Sequence, residues 1–150
     1  MADIAHSGTV SQMFNVTAKY QTACAVNNVS KIDFGTLVAS SSPSNGTYST
    51  SAQVIVACTS GTSFGIWIPL SSNANGTQRR MLNTTNNTSM LNYNLYLDNF
   101  ATLAPTTQTT NNFLTWSNNA TVYGIKARIP SGQTLAAGAY LDNIVVMVSY

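Results

Sequence analysis

The N-terminal stretch Ala2–Tyr20 reads ADIAHSGTVSQMFNVTAKY and alternates between a mostly apolar and a mostly polar set of side chains. The first set contains every second residue: Ala2, Ile4, His6, Gly8, Val10, Gln12, Phe14, Val16, Ala18 and Tyr20. A period of two is typical of a β-strand with one buried face. The run is about twice as long as a usual strand of roughly 5 to 6 residues. Gly8 and Gln12 are the weak points of its apolar face. We therefore predict two strands in succession.

The first of these strands, over about residues 2–12, forms an N-terminal arm (residues 1–13). The second, over about residues 14–24, is the first strand of a domain that continues to residue 150. The position of the arm is the central question that the sequence raises. The arm either folds back on its own domain or fills a gap in another copy of the chain.

The composition predicts an all-β domain. A chain of 150 residues forms one domain, which buries about 68–70% of the surface that its unfolded chain exposes. Charged residues are only 7% of the chain and Glu is absent, whereas Thr, Ser, Asn, Val and Tyr are abundant. This balance disfavours helices and suits strands joined by polar turns. A scattered net charge of +2 argues against a nucleic-acid partner. No apolar run approaches the roughly 20 residues of a membrane helix, so we expect a soluble domain that is not membrane-embedded.

The cysteines and the N-terminus bear on the compartment. Two cysteines in a strand-rich, charge-poor chain favour an oxidising compartment. The start Met-Ala-Asp-Ile does not have the charged beginning and apolar core of a secretory signal. We therefore expect a mature form that carries a start Met or a shifted numbering.

Alternating segments continue along the chain and predict about seven short strands. Beyond residue 24 they cover Lys31–Val38, Tyr48–Thr59, Phe64–Leu70, Leu91–Leu97, Thr121–Ile129 and Tyr140–Tyr150, with a short apolar piece at Phe113–Trp116. The turn Ser60-Gly61-Thr62 predicts a hairpin between two of these strands. Several short strands separated by polar turns are the pattern of an antiparallel sandwich.

Cys24 and Cys58 each end a predicted strand, which favours a disulfide between them. The bridge would close a loop of 34 residues (58 − 24), worth roughly 3.5–4 kcal/mol on the chain-entropy model. The competing interpretations are two buried free thiols or a pair of metal ligands. A metal site needs about four ligands, and His6 is the only histidine of the chain. We predict no metal site and no cofactor.

Short motifs in a fixed order resemble the spore coat protein U domain family. The resemblance covers about residues 14–150 and rests on the Cys24 strand with Phe34-Gly35-Thr36-Leu37, Val54–Thr59 (VIVACT), Arg79-Arg80-Met81, Leu91–Asp98 (LNYNLYLD), Trp116, Tyr123-Gly124-Ile125, Ala137–Asp142 (AGAYLD) and the final Tyr150. Any one of these motifs is weak, whereas six of them in order are fairly specific. The very low charge and the Asn/Thr-rich loops depart from the family pattern.

The resemblance implies both a fold and a function. Proteins of this family look like subunits of archaic chaperone–usher pili. Their fold is an immunoglobulin-like antiparallel β-sandwich that lacks its last strand, and an N-terminal donor segment fills the gap in the next subunit. The implied function is a structural subunit of surface fibres for adhesion and biofilm formation. The implied partners are other copies of the chain and, during assembly, a periplasmic chaperone and an outer-membrane usher. The implied location is the bacterial cell surface, after passage through the periplasm.

The arm fits the role of a donor strand on physical grounds. An incomplete sandwich exposes a strand edge and an apolar groove, both of which favour the addition of a strand. About 11 residues at roughly 3.3 Å each span about 36 Å, the length of a sandwich. Ile4 and Val10 are the large apolar plugs, Gly8 suits a shallow socket, and His6 lies on the same face. The alternative is an arm that forms a frayed terminus.

Candidate catalytic residues do not form a recognisable arrangement. The carboxylates Asp3, Asp33, Asp98 and Asp142 are not paired in the sequence, and Asp98 and Asp142 are interpreted as turn or hydrogen-bonding residues. A Ser-His-Asp triad would need His6 from the arm. We therefore predict that the chain is not an enzyme.

Other side chains leave alternatives open. Arg79-Arg80 suits a loop cap or the rim of the sandwich better than an anion site. Trp67 and Trp116 suit packing better than stacking on sugars. Two further functions compete with the pilus subunit: a tip adhesin that binds through its loops, and a secreted coat protein that is completed by its own arm.

Overall fold

The computed structural model describes residues 11–13, 15–37, 48–97, 102–108, 113–115 and 121–150. All regular structure in these ranges is β-strand. The described strands are β1 (Cys24–Val29), β2 (Tyr48–Cys58), β3 (Ser63–Trp67), β4 (Arg79–Asn83), β5 (Met90–Leu97), β6 (Phe113–Thr115), β7 (Thr121–Ile129), β8 (Tyr140–Leu141) and β9 (Met147–Ser149). The predicted all-β class is confirmed.

The strands form two sheets, and every strand pair is antiparallel. The larger sheet has six described strands in the order β1-β2-β7-β5-β4-β8, and the smaller has three described strands in the order β6-β3-β9. The longest ladder joins β2 to β7 and runs from Tyr48 opposite Ile129 to Val56 opposite Thr121. In both sheets strands distant in sequence are neighbours, as expected for a sandwich rather than a simple meander.

The core lies between the apolar faces of the two sheets. The alternation predicted for β2, β5 and β7 is confirmed, because alternate residues of these strands are buried. The buried core includes Val54, Val56, Phe64, Ile66, Ile68, Leu91, Tyr93, Leu95, Ile125, Ala127 and Ile129. The rings of Phe64 and Tyr123 meet edge to face, with centroids 5.8 Å apart. Each fully buried aliphatic or phenyl side chain contributes about 1.5–3 kcal/mol by leaving water.

The predicted hairpin after Cys58 is wrong, because β2 and β3 belong to different sheets. The turn itself is present: Thr62 N–H donates to the Thr59 carbonyl (3.0 Å), and Gly61 has a φ of 78°. A tight turn between two alternating segments fits a corner as well as a hairpin. Here both strands turn their apolar faces to the same core, so the chain crosses from one layer to the other.

The predicted first strand over residues 14–24 also needs correction. The first strand of the structure begins only at Cys24. Residues 15–23 lie outside any strand and are exposed. Val16 and Tyr20 are 83% and 86% exposed, respectively. The alternation in this stretch is real, but no described strand of the same chain pairs with it.

The predicted closing strand Tyr140–Tyr150 is divided between the two sheets. β8 pairs with β4 in the larger sheet, and β9 pairs with β3 in the smaller one. Residues 142–146 connect these strands without belonging to either ladder. Period-two alternation locates the apolar face of this segment correctly, but it contains no information about which neighbour pairs with each half.

Cys24 and Cys58 form a disulfide across the ladder between β1 and β2. The two residues are directly opposite each other, with Cα atoms 4.0 Å apart. Next to them, the Thr59 N–H donates to the Ala23 carbonyl (2.8 Å), and the Ala23 N–H donates to Thr59 Oγ1 (3.0 Å). The disulfide and these bonds fasten the edge strand β1 to the centre of the larger sheet.

Replacing both cysteines with alanine is expected to lower the free energy of unfolding by roughly 3.5–4 kcal/mol, because the bridge closes a loop with a sequence separation of 34. Guanidinium unfolding curves of the wild-type chain and the double variant measure this difference. The wild-type chain with its disulfide reduced serves as the control and should match the variant. A loss below about 1 kcal/mol would contradict the expectation.

Candidate functional site

Two segments combine half-buried apolar side chains with a backbone that belongs to no ladder. We name residues 31–37 and 142–146 the open segments. Among the described residues, no backbone–backbone hydrogen bond involves either of them. The exposure of residues 142–146 alternates as in a strand, and that of residues 31–37 alternates as far as Gly35, where the phase shifts before Leu37. The apolar side chains that they pack against the core are Ile32, Phe34, Leu37, Ile144 and Val146. The open segments therefore have the side-chain pattern of strands but not the backbone pairing of strands.

The first open segment leaves β1 at Ser30. The Ser30 N–H donates to the Gln53 carbonyl (2.9 Å), and the Gln53 N–H donates to Ser30 Oγ (2.6 Å). Beyond this point Asp33 organises a local turn, because its Oδ1 accepts a hydrogen bond from the Gly35 N–H (2.8 Å). Gly35 has a φ of 66°, which glycine adopts without steric cost. The predicted strand over Lys31–Val38 is therefore, as far as residue 37, a segment with a turn at Asp33–Gly35 and no ladder among the described residues.

The Asp33 carboxylate is exposed and forms an ion pair with Lys31 (2.8 Å between Oδ2 and Nζ). The hydrogen bond from Lys31, followed by the one from the Gly35 N–H, lowers the pKa of Asp33. This ion pair lies on the surface at the start of the open segment and joins residues only two positions apart.

The second open segment leads into β9, which pairs with β3 along one edge. Within the described residues, the other edge of β9 has no partner strand. On the outer face, Trp67 Nε1 donates to Ser149 Oγ (3.0 Å), so this half-buried tryptophan links β3 to β9. The side chains of Val145 and Met147 also lie on this face and are exposed. This region therefore has an apolar inner face and an edge that can accept another strand.

A group of polar side chains holds the beginning of the second open segment. We name Asn73, Arg79, Tyr93 and Asp142 the anchor cluster. Asp142 accepts one hydrogen bond from the Tyr93 hydroxyl (2.6 Å to Oδ2) and one from Asn73 Nδ2 (2.9 Å to Oδ1). Tyr93 is on β5 and Asn73 is in the loop before β4, so the carboxylate joins two separate parts of the chain to the open segment. The predicted hydrogen-bonding role of Asp142 agrees with this geometry.

Arg79 links the same cluster to the smaller sheet. Its guanidinium donates to the carbonyl of Pro69 (2.9 Å) and to that of Ile68, directly after β3. Arg79 is only 4% exposed, which is unusual for a charged residue. Desolvation lowers its pKa, while the proximity of Tyr93 and Asp142 opposes that shift. Arg79 thus has the structural role that the sequence favoured.

Burial also acts on Tyr93, which is 4% exposed. Desolvation raises the pKa of the Tyr93 hydroxyl well above its ordinary value, and the hydrogen bond to Asp142 raises it further. The hydroxyl therefore keeps its proton and remains a donor to Asp142 at any physiological pH. The sequence places Tyr93 within the LNYNLYLD motif but gives its hydroxyl no role. Its position on the apolar face of β5 resembled that of an ordinary core residue.

Two further polar side chains hold β4 and β8 near the cluster. Arg80 Nε donates to the Asn73 carbonyl (2.8 Å), so Arg80 caps the loop, as predicted. Asn83 is fully buried, and its Nδ2 donates to the Ala137 carbonyl (3.2 Å). A Cβ atom at Gly138 would approach the Asn83 side chain to 2.7 Å, which explains the glycine in the AGAYLD motif.

Several residues for which the sequence predicts a role lie outside the part of the chain that the structure describes. These are the donor residues Ile4, His6, Gly8 and Val10, together with Asp3, Asp98 and Trp116. Within the described ranges, no group of His, Cys, Asp and Glu side chains has the arrangement of a metal site. A search of the same ranges found no helix with the length and hydropathy of a membrane span.

The fold and the open segments define the class of the protein: a β-sandwich with two segments that have no ladder partner among the described residues. The family model of the Spore Coat Protein U domain matches residues 10–147, nearly the whole chain. The chain belongs to the Spore Coat Protein U domain family, as its motifs indicated. The family consists of structural proteins rather than enzymes, in agreement with the predicted absence of catalytic activity.

The fold is similar to one found in a solved structure. This is the crystal structure of the CsuC–CsuE chaperone–tip adhesion subunit pre-assembly complex from the archaic chaperone–usher Csu pili of Acinetobacter baumannii. The TM-score is 0.59 and the sequence identity is 20%. The likeness covers 87% of this chain but 40% of the matched chain, so this chain spans less than half of that chain's length. A comparison with curated proteins found no match.

Replacing Tyr93 with phenylalanine is expected to make stability less dependent on alkaline pH. The folded chain holds the Tyr93 proton to a higher pH than the unfolded chain, where the pKa is 10.0. As the pH rises above 10.0, the unfolded state loses this proton first, so the wild-type free energy of unfolding falls. The fall attributable to this group approaches about 1.4 kcal/mol per pH unit.

Denaturant unfolding at several pH values between neutral and strongly alkaline measures the effect. The difference between the wild-type chain and Tyr93→Phe should shrink as the pH rises. Tyr150→Phe, which changes an exposed hydroxyl, should run parallel to the wild type. Parallel curves for Tyr93→Phe would show that this hydroxyl does not hold its proton more tightly in the folded state.

Proposed function

We propose that the chain is a structural subunit of a chaperone–usher pilus that polymerises head to tail by donor-strand exchange. In this proposal the arm of one copy, residues 1–13, inserts as a strand along the open segments of the next copy. The observation that carries the proposal is the pair of open segments. Their side chains already pack like those of strands, while their backbones are not paired within the described chain.

An inserted strand supplies what the open segments do not have. Its N–H and C=O groups complete a ladder along the edge of the sheet, and its alternate side chains cover the apolar face. The exposed edge of a sheet otherwise favours uncontrolled pairing with other chains. Membership of the Spore Coat Protein U domain family and the fold shared with a pilus subunit complex support this mode of completion.

The chain next to the arm favours insertion into another copy over a return to the same domain. Met13, the last residue of the arm, is 91% exposed, and Val16 and Tyr20 in the chain that follows are 83% and 86% exposed. An arm that completed its own sandwich would have to reverse direction close to Met13. The described residues 15–23 are exposed and lie outside any strand until β1 begins at Cys24.

The donor face of the arm consists of Ile4, His6, Gly8 and Val10. Ile4 and Val10 are the large plugs for the apolar face, Gly8 fits where the two backbones approach closely, and His6 lies between them. About 11 residues in strand conformation span about 36 Å. Such a contact is heterologous and does not close on itself, so successive copies form a filament.

The proposal also names the partners and the location. A periplasmic chaperone would protect the open segments before assembly, and an outer-membrane usher would export the growing fibre. The completed fibre would lie on the bacterial surface and serve adhesion and biofilm formation. The fold shared with a chaperone–tip adhesion subunit complex supports the chaperone step.

The test compares two full-length double variants that add the same charge to opposite faces of the arm. Ile4→Asp with Val10→Asp alters the donor face, whereas Ser7→Asp with Thr9→Asp alters the polar face. We expect fibres from the wild-type chain and from the polar-face variant, and only monomers from the donor-face variant. Negative-stain electron microscopy and light scattering after size exclusion measure the assembly.

Deletion of residues 2–12 should abolish the fibres in the same way. Stable monomers from the wild-type chain would sink the pilus subunit proposal in favour of a self-completed coat protein. Fibres from the donor-face variant would show that assembly uses another surface.

A further inference from the structure

We propose that the anchor cluster is a positioning device that holds the second open segment ready for an incoming strand. This inference rests on the proposed function, because it concerns the same strand-accepting edge. Asp142 is the first residue of the segment, and β9 follows its last residue. Within the described residues, the segment is therefore held at one end by the ladder between β3 and β9 and at the other end by hydrogen bonds to Asp142.

The two ends are held in different ways. β9 is fixed by main-chain pairing with β3 over Met147–Ser149. The other end follows a two-residue strand, β8, which pairs with β4 only through Leu82–Leu141 and Asn83–Tyr140. Such a short strand leaves the direction of the following residues weakly determined. The two bonds that Asp142 accepts, from Tyr93 and Asn73, set this direction.

The donors of the cluster are themselves well fixed. Tyr93 is a core residue of β5 and its hydroxyl keeps its proton, so it remains able to donate to Asp142. Asn73 is in the loop before β4, and its own carbonyl accepts a hydrogen bond from Arg80 of β4. Arg79 places a buried positive charge near the Asp142 carboxylate. The carboxylate thus accepts two hydrogen bonds and lies within electrostatic range of one buried cation, an arrangement that restrains its backbone.

Such restraint affects the rate of strand capture. An unrestrained segment samples many backbone conformations, and an incoming strand must wait for the extended one or impose it. A segment that is already extended presents its edge at once. Preorganisation should therefore raise the rate at which a donor strand associates. After capture, the new ladder holds the segment, so the dissociation rate should depend little on the cluster.

The test removes the two hydrogen bonds while leaving the carboxylate and its charge in place. The variant is Asn73→Ala with Tyr93→Phe. The matched control is Tyr140→Phe, which removes a hydroxyl that also makes two hydrogen bonds, to the Ala136 carbonyl and to Ser89, but does not touch Asp142. All proteins are full-length and contain Ile4→Asp with Val10→Asp, so that their own arms do not compete.

The probe is a fluorescent peptide with the sequence of residues 1–20. Anisotropy after rapid mixing gives its association rate, and dilution gives its dissociation rate. For the double variant we expect an association rate about tenfold lower and a dissociation rate within about twofold of the parent. The control should match the parent in both rates. Equal association rates in variant and control would overturn the inference, and so would a loss explained by faster dissociation alone.

A second measurement does not depend on the peptide. Amide order parameters from NMR relaxation report motion on the picosecond-to-nanosecond timescale. Those of Asn143–Val146 should fall in the double variant and stay unchanged in the control. Unchanged order parameters would overturn the inference even if the peptide binds. A third outcome separates the two proposals. If the parent binds no peptide while the order parameters of the double variant fall, the anchor role stands and the proposed function is overturned.

If the double variant fails to fold, Asn73→Ala and Tyr93→Phe are measured separately. Each removes one of the two hydrogen bonds, so each should slow association by a smaller factor. Two single variants that both associate at the parent rate would overturn the inference in the same way.

Discussion

The pairing of backbone polar groups is the constraint on which the rest of this structure depends. A buried N–H or C=O group without a hydrogen-bond partner costs free energy, so a folded chain pairs nearly all of them. In β2, β5 and β7 the ladders on both sides satisfy this requirement. In the open segments the side chains meet the core while no described ladder serves the backbone. Within the described residues, the open segments therefore place side chains in the core without a ladder for their backbone.

This division explains why polar side chains are concentrated where they are. Asp142, Tyr93, Asn73 and Arg79 lie next to the second open segment, and Asp33 organises the first through the Gly35 N–H. Side chains there replace part of the restraint that a neighbouring strand normally supplies. They leave the strand edge itself available, because none of these bonds uses the backbone of residues 143–146.

Much of the fold was predictable because period-two alternation reports which face of a strand is buried. The strands β2, β5 and β7 were predicted nearly to their ends, and their inward residues were correct. Alternation does not report which strand pairs with which. For this reason the corner after Cys58 was predicted as a hairpin, and the C-terminal stretch was predicted as one strand instead of two. The stretch from residue 15 to residue 23 alternates equally well and has no partner strand in the described chain.

The site was less predictable than the fold, for a related reason. The role of Tyr93 depends on a hydrogen bond to Asp142, which is 49 residues away in the sequence. The two residues come close because β4 pairs with β5 on one side and with β8 on the other. In the sequence, Tyr93 differs from its buried neighbours Leu91 and Leu95 only by a ring and a hydroxyl. The motifs LNYNLYLD and AGAYLD did mark both residues through the family resemblance, but they did not indicate that the two side chains meet.

The scarcity of charge fits the proposed filament of identical copies. Each copy has a net charge of +2 and only 7% charged residues. In a head-to-tail filament, the same surface is repeated every few nanometres, so any large charge would repel its own copies along the fibre. Polar Asn, Ser and Thr side chains keep a surface hydrated without this repulsion. The arm follows the same principle: its polar face between residues 3 and 11 contains only one charged residue, Asp3. An inserted donor strand therefore brings little charge to the edge that it completes, and its apolar plugs and main-chain hydrogen bonds are left to determine its affinity.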